Sequence, residues 1–112
     1  MQELTPSEVV ALFDLDERRV RKDVEYGVFD RGKGPPRFGL AEVVYLLAIA
    51  RSGVDLGVET RKRLYRIIAD ALGEQTPPRS VELGAYLELR LASAVHDVES
   101  RIEQFARWKK SW

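Results

Sequence analysis

Cysteine is absent from the 112 residues, and His96 is the only histidine. A chain without cysteine cannot form a disulfide, hold a thiolate metal site or use a thiol nucleophile. The Gly-x-Ser-x-Gly, His-Glu-x-x-His and P-loop patterns are absent as well, so the parts needed for serine, zinc and nucleotide chemistry are lacking. We therefore predict that the protein is not an enzyme and needs no metal or cofactor, with His96 a surface residue.

Long apolar runs and an excess of charge are also lacking. No apolar stretch approaches the roughly 18 residues that a membrane span needs, and no secretion signal is recognisable. Lysine and arginine number 18, as do aspartate and glutamate, so the net charge is zero. This balance predicts weak non-specific binding to nucleic acid. The 45% hydrophobic content predicts one compact soluble domain with an appendage, and the cytoplasm is the predicted location.

What is present is the pattern of two short helices joined by a tight turn. Thr5 and Glu8 have the spacing of a capping box, and Pro6 suits the first helical position. The apolar pattern then breaks, and Asp16 can cap a second helix, which Gly27 is suited to end. The second helix has about three turns, the size of a DNA recognition helix.

Four cations lie within five positions of this second helix. If Val20 and Val24 face the core, the helical period directs the cations toward solvent, with Arg19 nearer the flank of the exposed face. Arginine can bind guanine with two hydrogen bonds, and lysine acts as a point charge on phosphate. The candidate DNA contacts here are Arg18, Arg19, Arg21 and Lys22. The alternative is a solvated helix face on which they pair with Glu17, Asp23 and Glu25.

Residues 28–39 consist of two short apolar edges around a turn rich in glycine and proline. Three cations in this segment would project toward a phosphate backbone, as in the wing of a winged helix. The Gly-Lys-Gly stretch lacks the spacing of a P-loop, and an ordinary surface loop is the alternative. The candidate DNA contacts of the wing are Arg31, Lys33 and Arg37.

Two further helices are predicted after the wing. Residues 40–50 are almost entirely apolar and indicate a central core helix, and residues 58–72 indicate an amphipathic one. Cations on the second of these form either a solvated face or a second phosphate patch. The predicted inward-facing residues are Val43, Leu46, Leu47 and Ala50, then Leu64, Ile67, Ile68 and Leu72. The outward cations are Arg61, Lys62, Arg63 and Arg66.

Residues 73–80 are predicted to be a linker, because their two prolines cannot continue a helix. In residues 86–91, apolar and charged side chains alternate, which indicates a short strand or, alternatively, a turn of helix. We expect a strand here to pair with a second subunit, a toxin or a further domain.

Apolar residues then recur at steps of three and four between residues 93 and 110, and Trp112 continues the spacing. This indicates a helix that pairs with its twin in a homodimer, or one that packs back onto its own domain. The predicted dimerisation residues are Val95, Val98, Ile102, Phe105 and Trp108.

The stretches ERRVRKDVEYGVF, PRF and ARSGVDL resemble the N-terminal domain of the MerR family of winged-helix regulators. This resemblance implies that Arg18 and Arg21 correspond to recognition-helix arginines and Arg37 to a wing arginine near phosphate. The sequence departs from the family at Asp14, where glycine is usual, and at residues 22–23, where an aromatic pair is common.

A closer resemblance is to VapB-type antitoxins of VapBC-like toxin–antitoxin systems, in which a MerR-like module precedes a second domain. The segments LTPSEVVAL, RRVRKDVEYGV, LAEVVYLLAIARSGVDLGVETRKRLYRII and RIEQFARWKK carry this likeness. It implies operator-DNA binding, dimerisation and neutralisation of a PIN-type ribonuclease toxin. The second domain usually carries an LGGxPxxxGTR-type segment, so we expect this chain to be the N-terminal domain alone.

The expected fold is therefore mainly α: a winged helix-turn-helix with a small β-wing, a short additional strand and a C-terminal dimerisation helix. The DNA-binding domain comprises residues 1–72, the linker 73–80, and the strand and helix 81–112. The expected function is that of a DNA-binding antitoxin that regulates its own operon as a homodimer. The alternatives are a protein-interaction module that does not bind DNA and a phage-type excisionase that bends it.

Overall fold

A computed structural model describes residues 3–29, 36–52, 56–84 and 87–110. This part of the chain is mainly helical, as predicted, with one small antiparallel hairpin. The elements are α1 (Pro6–Phe13), α2 (Glu17–Glu25), α3 (Leu40–Ser52), α4 (Val58–Leu72), β1 (Val81–Gly84), β2 (Leu87–Leu89) and α5 (Leu91–Lys110).

The first two helices begin where their capping residues predicted. The Thr5 hydroxyl accepts the Glu8 N–H at 3.2 Å, and the Glu8 carboxylate accepts the Thr5 N–H at 3.0 Å, which completes the capping box. Asp16 accepts the N–H of Arg18 at 3.0 Å and caps α2. Each cap satisfies backbone donors that have no partner within the helix, so these short sequence signals determine both helix starts.

Two residues with positive φ define the ends of these helices. Asp14 follows α1 with φ of 52°, and Gly27 follows α2 with φ of 69°. Aspartate is one of the few residues other than glycine that tolerate this left-handed region. Asp14, where the MerR resemblance predicts glycine, thus still adopts the conformation that glycine favours.

Helix α3 is the centre of the core and contacts both α4 and α5. Val43, Leu46 and Leu47 are buried as predicted. Ala50 was predicted to face inward, but it is exposed. It lies near the end of α3 and lines two adjoining surface depressions, because the neighbouring helices do not cover this last turn.

The two apolar edges of the predicted wing are anchored in the core. Phe29 and Phe38 are buried and meet edge to face at 5.5 Å. Phe38 exchanges two backbone hydrogen bonds with Leu4, of 2.8 and 2.9 Å, so in the described residues its β partner is the N-terminal segment. The predicted turn of the wing, with Arg31 and Lys33, lies outside the described residues.

The C-terminal strand has its partner within the same chain, which corrects the sequence prediction. β2 pairs antiparallel with β1, with Val81 opposite Leu89 and Glu82 opposite Glu88. Val81 and Leu89 pack against the core. We expected this strand to pair with another subunit, a toxin or a further domain. That expectation is wrong, because β1, just upstream in the same chain, is its partner. Leu91 does not extend the strand but begins α5 and is buried.

Helix α5 packs along its own chain, against α3 and α1. Val98 and Ile102, predicted at a dimer seam, are 0% and 8% exposed in the chain's own core. The prediction that these two residues lie in a dimer interface is therefore wrong. Their side chains pack over α3 and are not available to a second copy. Val95 is half-buried against the same core, whereas Trp108 is 52% exposed. The dimerisation role of Phe105 and Trp108 stays a prediction.

Candidate nucleic-acid interface

Helix α2 turns its cations away from the core. Val20 is 3% exposed and Val24 half-buried, and the helical period then directs Arg18, Arg21 and Lys22 to solvent. All three side chains are exposed. Such a row of exposed cations on a short helix has the dimensions that enter a DNA major groove.

One of these cations has an acidic partner on its own helix. Arg21 contacts Glu17 at 2.8 Å, with the two side chains 67% and 69% exposed. Exposed pairs of this kind contribute about 0.3–0.5 kcal/mol, so phosphate or a base can displace Glu17 at little cost. In the described part of the chain neither Arg18 nor Lys22 forms an ion pair. Of the pairings in the predicted alternative, only that of Arg21 with Glu17 is present among the described residues, and the choice between a solvated face and a DNA-binding face is still a prediction.

The flanking cations take different positions. Arg19 is exposed at the edge of α2 and lines a cleft toward α3 and α4, as its predicted flank position indicated. Arg37 is exposed and immediately precedes the buried Phe38, which fixes its backbone to the core. Arg37 is thus the one predicted wing cation that lies within the described residues.

A buried ion pair connects α2 to α4 beneath the cationic face. Asp23 is 1% exposed, and its carboxylate accepts Nη1 of Arg61 at 2.6 Å and the hydroxyl of Tyr45 at 3.4 Å. The Arg61 side chain is only 12% exposed. The alternative that placed Asp23 on a solvated face is wrong for this residue, and so is the prediction that Arg61 points outward. The two residues bury each other because each supplies the charge that the other needs.

The environment of this pair favours its hydrogen bonds. Burial raises the pKa of the Asp23 carboxyl above its ordinary value, and the positive charges of Arg61 and Arg19 and the bond from Tyr45 oppose that rise. Burial and the adjacent carboxylate raise the pKa of the Tyr45 hydroxyl, so it stays protonated and donates. Removing one partner of such a pair typically costs about 3–5 kcal/mol, because it leaves an uncompensated charge.

An aromatic cluster extends this connection. The Tyr45 ring meets Phe29 at 5.5 Å and Tyr65 at 5.9 Å, in both cases edge to face. Phe29 also meets Tyr65 at 5.1 Å. The ion pair and these rings join α2, the segment after it, α3 and α4, so the orientation of the cationic helix is determined by the core.

Sequence reasoning missed this ion pair, although one signal pointed to it. Asp23 comes three residues after Val20 and directly before Val24, so it lies on the apolar stripe of α2. A carboxylate on such a stripe requires a buried cation. Nothing local identifies Arg61 as that cation.

The cations of α4 adjoin the end of α2. Arg63 and Arg66 are exposed, and Lys62 is partly exposed and lies 3.7 Å from Glu59. Lys62 and Arg66 line a depression that also includes Gly27, just after α2. The two predicted alternatives, a solvated face and a second phosphate patch, are both compatible with this position.

A groove of about 730 Å³ lies between α1 and the last turns of α5. Its walls include Ala11 and Leu12 from α1 and Phe105 and Trp108 from α5. The two aromatic rings stack at 5.9 Å with an angle of 26° between their planes. Arg101 closes one end by donating to the Leu12 carbonyl at 2.9 Å.

His96 is exposed, as predicted. Within the described ranges, no three residues among histidine, cysteine, aspartate and glutamate are grouped as a metal would require. None of the helices described has the length and apolar character to cross a membrane. No known protein family, curated protein or solved structure matches the chain.

Proposed function

We propose that the chain is a sequence-specific DNA-binding regulator with a winged helix-turn-helix, in which α2 is the recognition helix. The observation that carries this proposal is the exposed cationic face of α2 above the buried pair of Asp23 and Arg61. The face is accessible, and the ion pair that supports it is buried. These are the two properties that readout of base edges in a groove requires.

The cations divide into two roles in this proposal. Arg18 and Arg21 contact base edges, because a guanidinium can bind guanine through two parallel hydrogen bonds. Lys22 and Arg37 contact phosphate and fix the register of the helix along the duplex. Arg19 lies at the flank of this surface, and the proposal also assigns phosphate contacts to Arg31 and Lys33, which lie outside the described residues.

The charge balance of residues 1–39 and the number of phosphate contacts determine how the affinity for DNA depends on salt concentration. Residues 1–39 contain seven lysines and arginines against eight acidic residues, so the reading surface has no overall positive charge. Affinity then comes from local contacts, each phosphate contact contributing about −0.9 to the slope of log affinity against log salt concentration. We expect specific binding with a clear salt dependence and weak binding to unrelated DNA.

The proposal includes an antitoxin role, supported by the resemblance of four segments to VapB-type antitoxins. A homodimer would place two α2 helices in successive major grooves about 34 Å apart. The partner would be a PIN-type ribonuclease toxin in the cytoplasm, neutralised by a binding protein that is not itself an enzyme. Co-expression tests this role: rescue of growth from the adjacent PIN toxin supports it, and continued toxicity contradicts it.

Mobility shift of the DNA upstream of the gene, over a series of salt concentrations, tests the DNA-binding proposal. We expect Arg18→Ala and Arg21→Ala each to cost about 1–3 kcal/mol of specific binding while the fold stays intact. Arg90→Ala is the matched control, since it removes an exposed arginine just before α5.

The outcomes separate the alternatives. If the upstream DNA does not shift at any salt concentration, the protein-interaction module is favoured. If Arg90→Ala weakens binding as much as Arg18→Ala does, the α2 face is not the contact surface. Bending of the DNA together with an adjacent integrase gene favours the excisionase.

A further inference from the structure

A cleft of about 240 Å³ opens between α2, α3 and the start of α4. Its apolar wall includes Val20, Leu46 and Ile49. An apolar cavity of about 150 Å³ is enough to hold benzene. The cleft therefore admits a small molecule with an apolar body and a polar head group.

Arg61 lines this cleft, and its guanidinium carries an unsatisfied donor. Its Nη1 donates to Asp23, but its Nε is buried and has no hydrogen-bond partner among the described residues. A buried donor without an acceptor is costly, and more so when it carries charge. The Nε side of a guanidinium is also the edge through which arginine binds a carboxylate with two hydrogen bonds. The structure thus leaves one carboxylate-binding edge of Arg61 unused.

The other charged groups of the cleft favour an anion. Arg19 lines it from α2 and brings a second guanidinium. The carboxylate of Asp23 is occupied by Arg61 and Tyr45, and that of Asp16 accepts the N–H of Arg18 as the cap of α2. Both acidic groups are engaged within the protein, whereas donors of the two arginines remain for a ligand.

We propose that this cleft binds a small carboxylate with an apolar body, such as an aromatic acid. The carboxylate accepts from the guanidinium groups of Arg61 and Arg19, which both line the cleft. The apolar body packs against Val20, Leu46 and Ile49. The residues of the site belong to α2, α3 and α4. The ligand therefore contacts both the flank of the recognition helix α2 and the helices α3 and α4 that support it. The role of this ligand as an effector of DNA binding rests on the proposed function. The binding of the ligand to the cleft does not depend on the proposed function.

Titration of the ¹⁵N-labelled protein without DNA, followed by NMR at the arginine Nε–H groups, tests the binding. The probes are benzoate, benzyl alcohol, which lacks the carboxylate, and acetate, which lacks the apolar body. We expect benzoate to shift the Arg61 Nε–H signal saturably, with a Kd of about 1 mM or tighter. Benzyl alcohol and acetate should bind at least about tenfold more weakly, a difference of 1.4 kcal/mol.

Arg19→Gln tests the site while the hydrogen bonds of Asp23 with Arg61 and Tyr45 stay in place, although it removes a positive charge that acts on Asp23. We expect it to weaken benzoate binding several-fold, whereas Arg90→Gln, an exposed control, leaves it unchanged. The proposal is overturned if the Arg61 signal does not saturate, if benzyl alcohol binds as well as benzoate, or if the two variants behave alike.

A second measurement separates ligand binding from DNA binding. If benzoate binds and changes the affinity for operator DNA about fivefold or more, the cleft is an effector site. Ligand binding with unchanged DNA affinity overturns the effector role and supports the site. Ligand binding by a protein that shifts no DNA overturns the proposed function and likewise supports the site.

Discussion

Asp23 connects the surface of α2 to the interior through a single carboxylate. A buried ion pair gains little over well-packed apolar side chains, but breaking it from one side is expensive. Asp23 and Arg61 therefore contribute more to the geometry of α2 than to net stability. This distinction is measurable, because the single and double substitutions then have different effects.

We expect Asp23→Ala to lower the free energy of unfolding by about 3–5 kcal/mol, because it leaves Arg61 buried without a counter-charge. The combined change Asp23→Leu with Arg61→Met should recover most of that loss. Urea denaturation measures both. Asp97→Ala is the control: Asp97 lies 3.8 Å from Arg51 with 53% of its side chain exposed, and such pairs contribute about 0–1 kcal/mol. Equal losses for Asp23→Ala and Asp97→Ala would contradict burial of the pair.

Glu8 is the second residue whose charge depends on the fold. The Thr5 N–H, the Thr5 hydroxyl and Lys109 lower the pKa of Glu8 below its ordinary value of 4.5, against a smaller opposing effect of burial. The folded state thus binds this proton less tightly than the unfolded state does. The stabilisation is complete above pH 4.5 and is lost as the pH falls through the lower pKa of the folded state.

Glu8→Gln removes the charge and keeps a hydrogen-bond acceptor. We expect wild type to be more stable than this variant near neutral pH, and the difference to shrink as the pH falls below 4.5. Chemical denaturation at a series of pH values measures the difference. A gap that stays constant, or that widens in acid, would show that the capping box does not depend on the Glu8 charge.

At the scale of elements, local signals predicted helix starts and failed for long-range contacts. The capping box and Asp16 act within three residues, so the sequence alone predicts the first residues of α1 and α2. The range of α4 was also predicted correctly, from periodicity. Asp23 finds its partner 38 residues later, and no local pattern encodes that distance.

The hairpin and α5 illustrate the same limit. The alternation in residues 86–91 indicated a strand, but period two does not identify which strand lies beside it. In α5 the spacing of Val98 and Ile102 indicated a buried stripe without revealing what covers it. A stripe that faces a partner and one that faces its own core have the same period, so only the position of α3 distinguishes them.

Val98→Ala tests this assignment for α5. Val98 is fully buried in the monomer, and loss of its methyl groups should lower the free energy of unfolding by about 1–3 kcal/mol. The loss should be the same at dilute and concentrated protein, because the contact lies within one chain. Val95→Ala, at a half-buried position of the same helix, should cost less. A loss that grows with protein concentration would instead assign Val98 to a subunit interface.

At the scale of the whole molecule, the described residues present two surfaces of different character. The cations of α2 form one, and the groove between α1 and α5 forms the other. Ala11 is a small side chain on the α1 wall, and Trp108 is 52% exposed on the α5 wall. Large exposed aromatic residues beside a groove are typical anchors of protein interfaces. We expect the two copies of the proposed homodimer to meet at this groove.

Trp108→Ser tests that arrangement, because a buried tryptophan anchor at an interface is typically worth about 2 kcal/mol or more. We expect the dimer dissociation constant to rise at least about tenfold, whereas the monomer loses the stack of Trp108 on Phe105, and such aromatic pairs contribute about 0.5–1.5 kcal/mol. Sedimentation equilibrium measures the association, and Tyr26→Ser, which removes another exposed aromatic residue, is the control. The Trp108→Ser variant should still bind a half-site through α2. It should lose affinity for the full operator, since the two recognition helices then bind independently. A dimer that survives Trp108→Ser, or a wild-type chain that stays monomeric at high concentration, would mean that this groove does not hold two copies together.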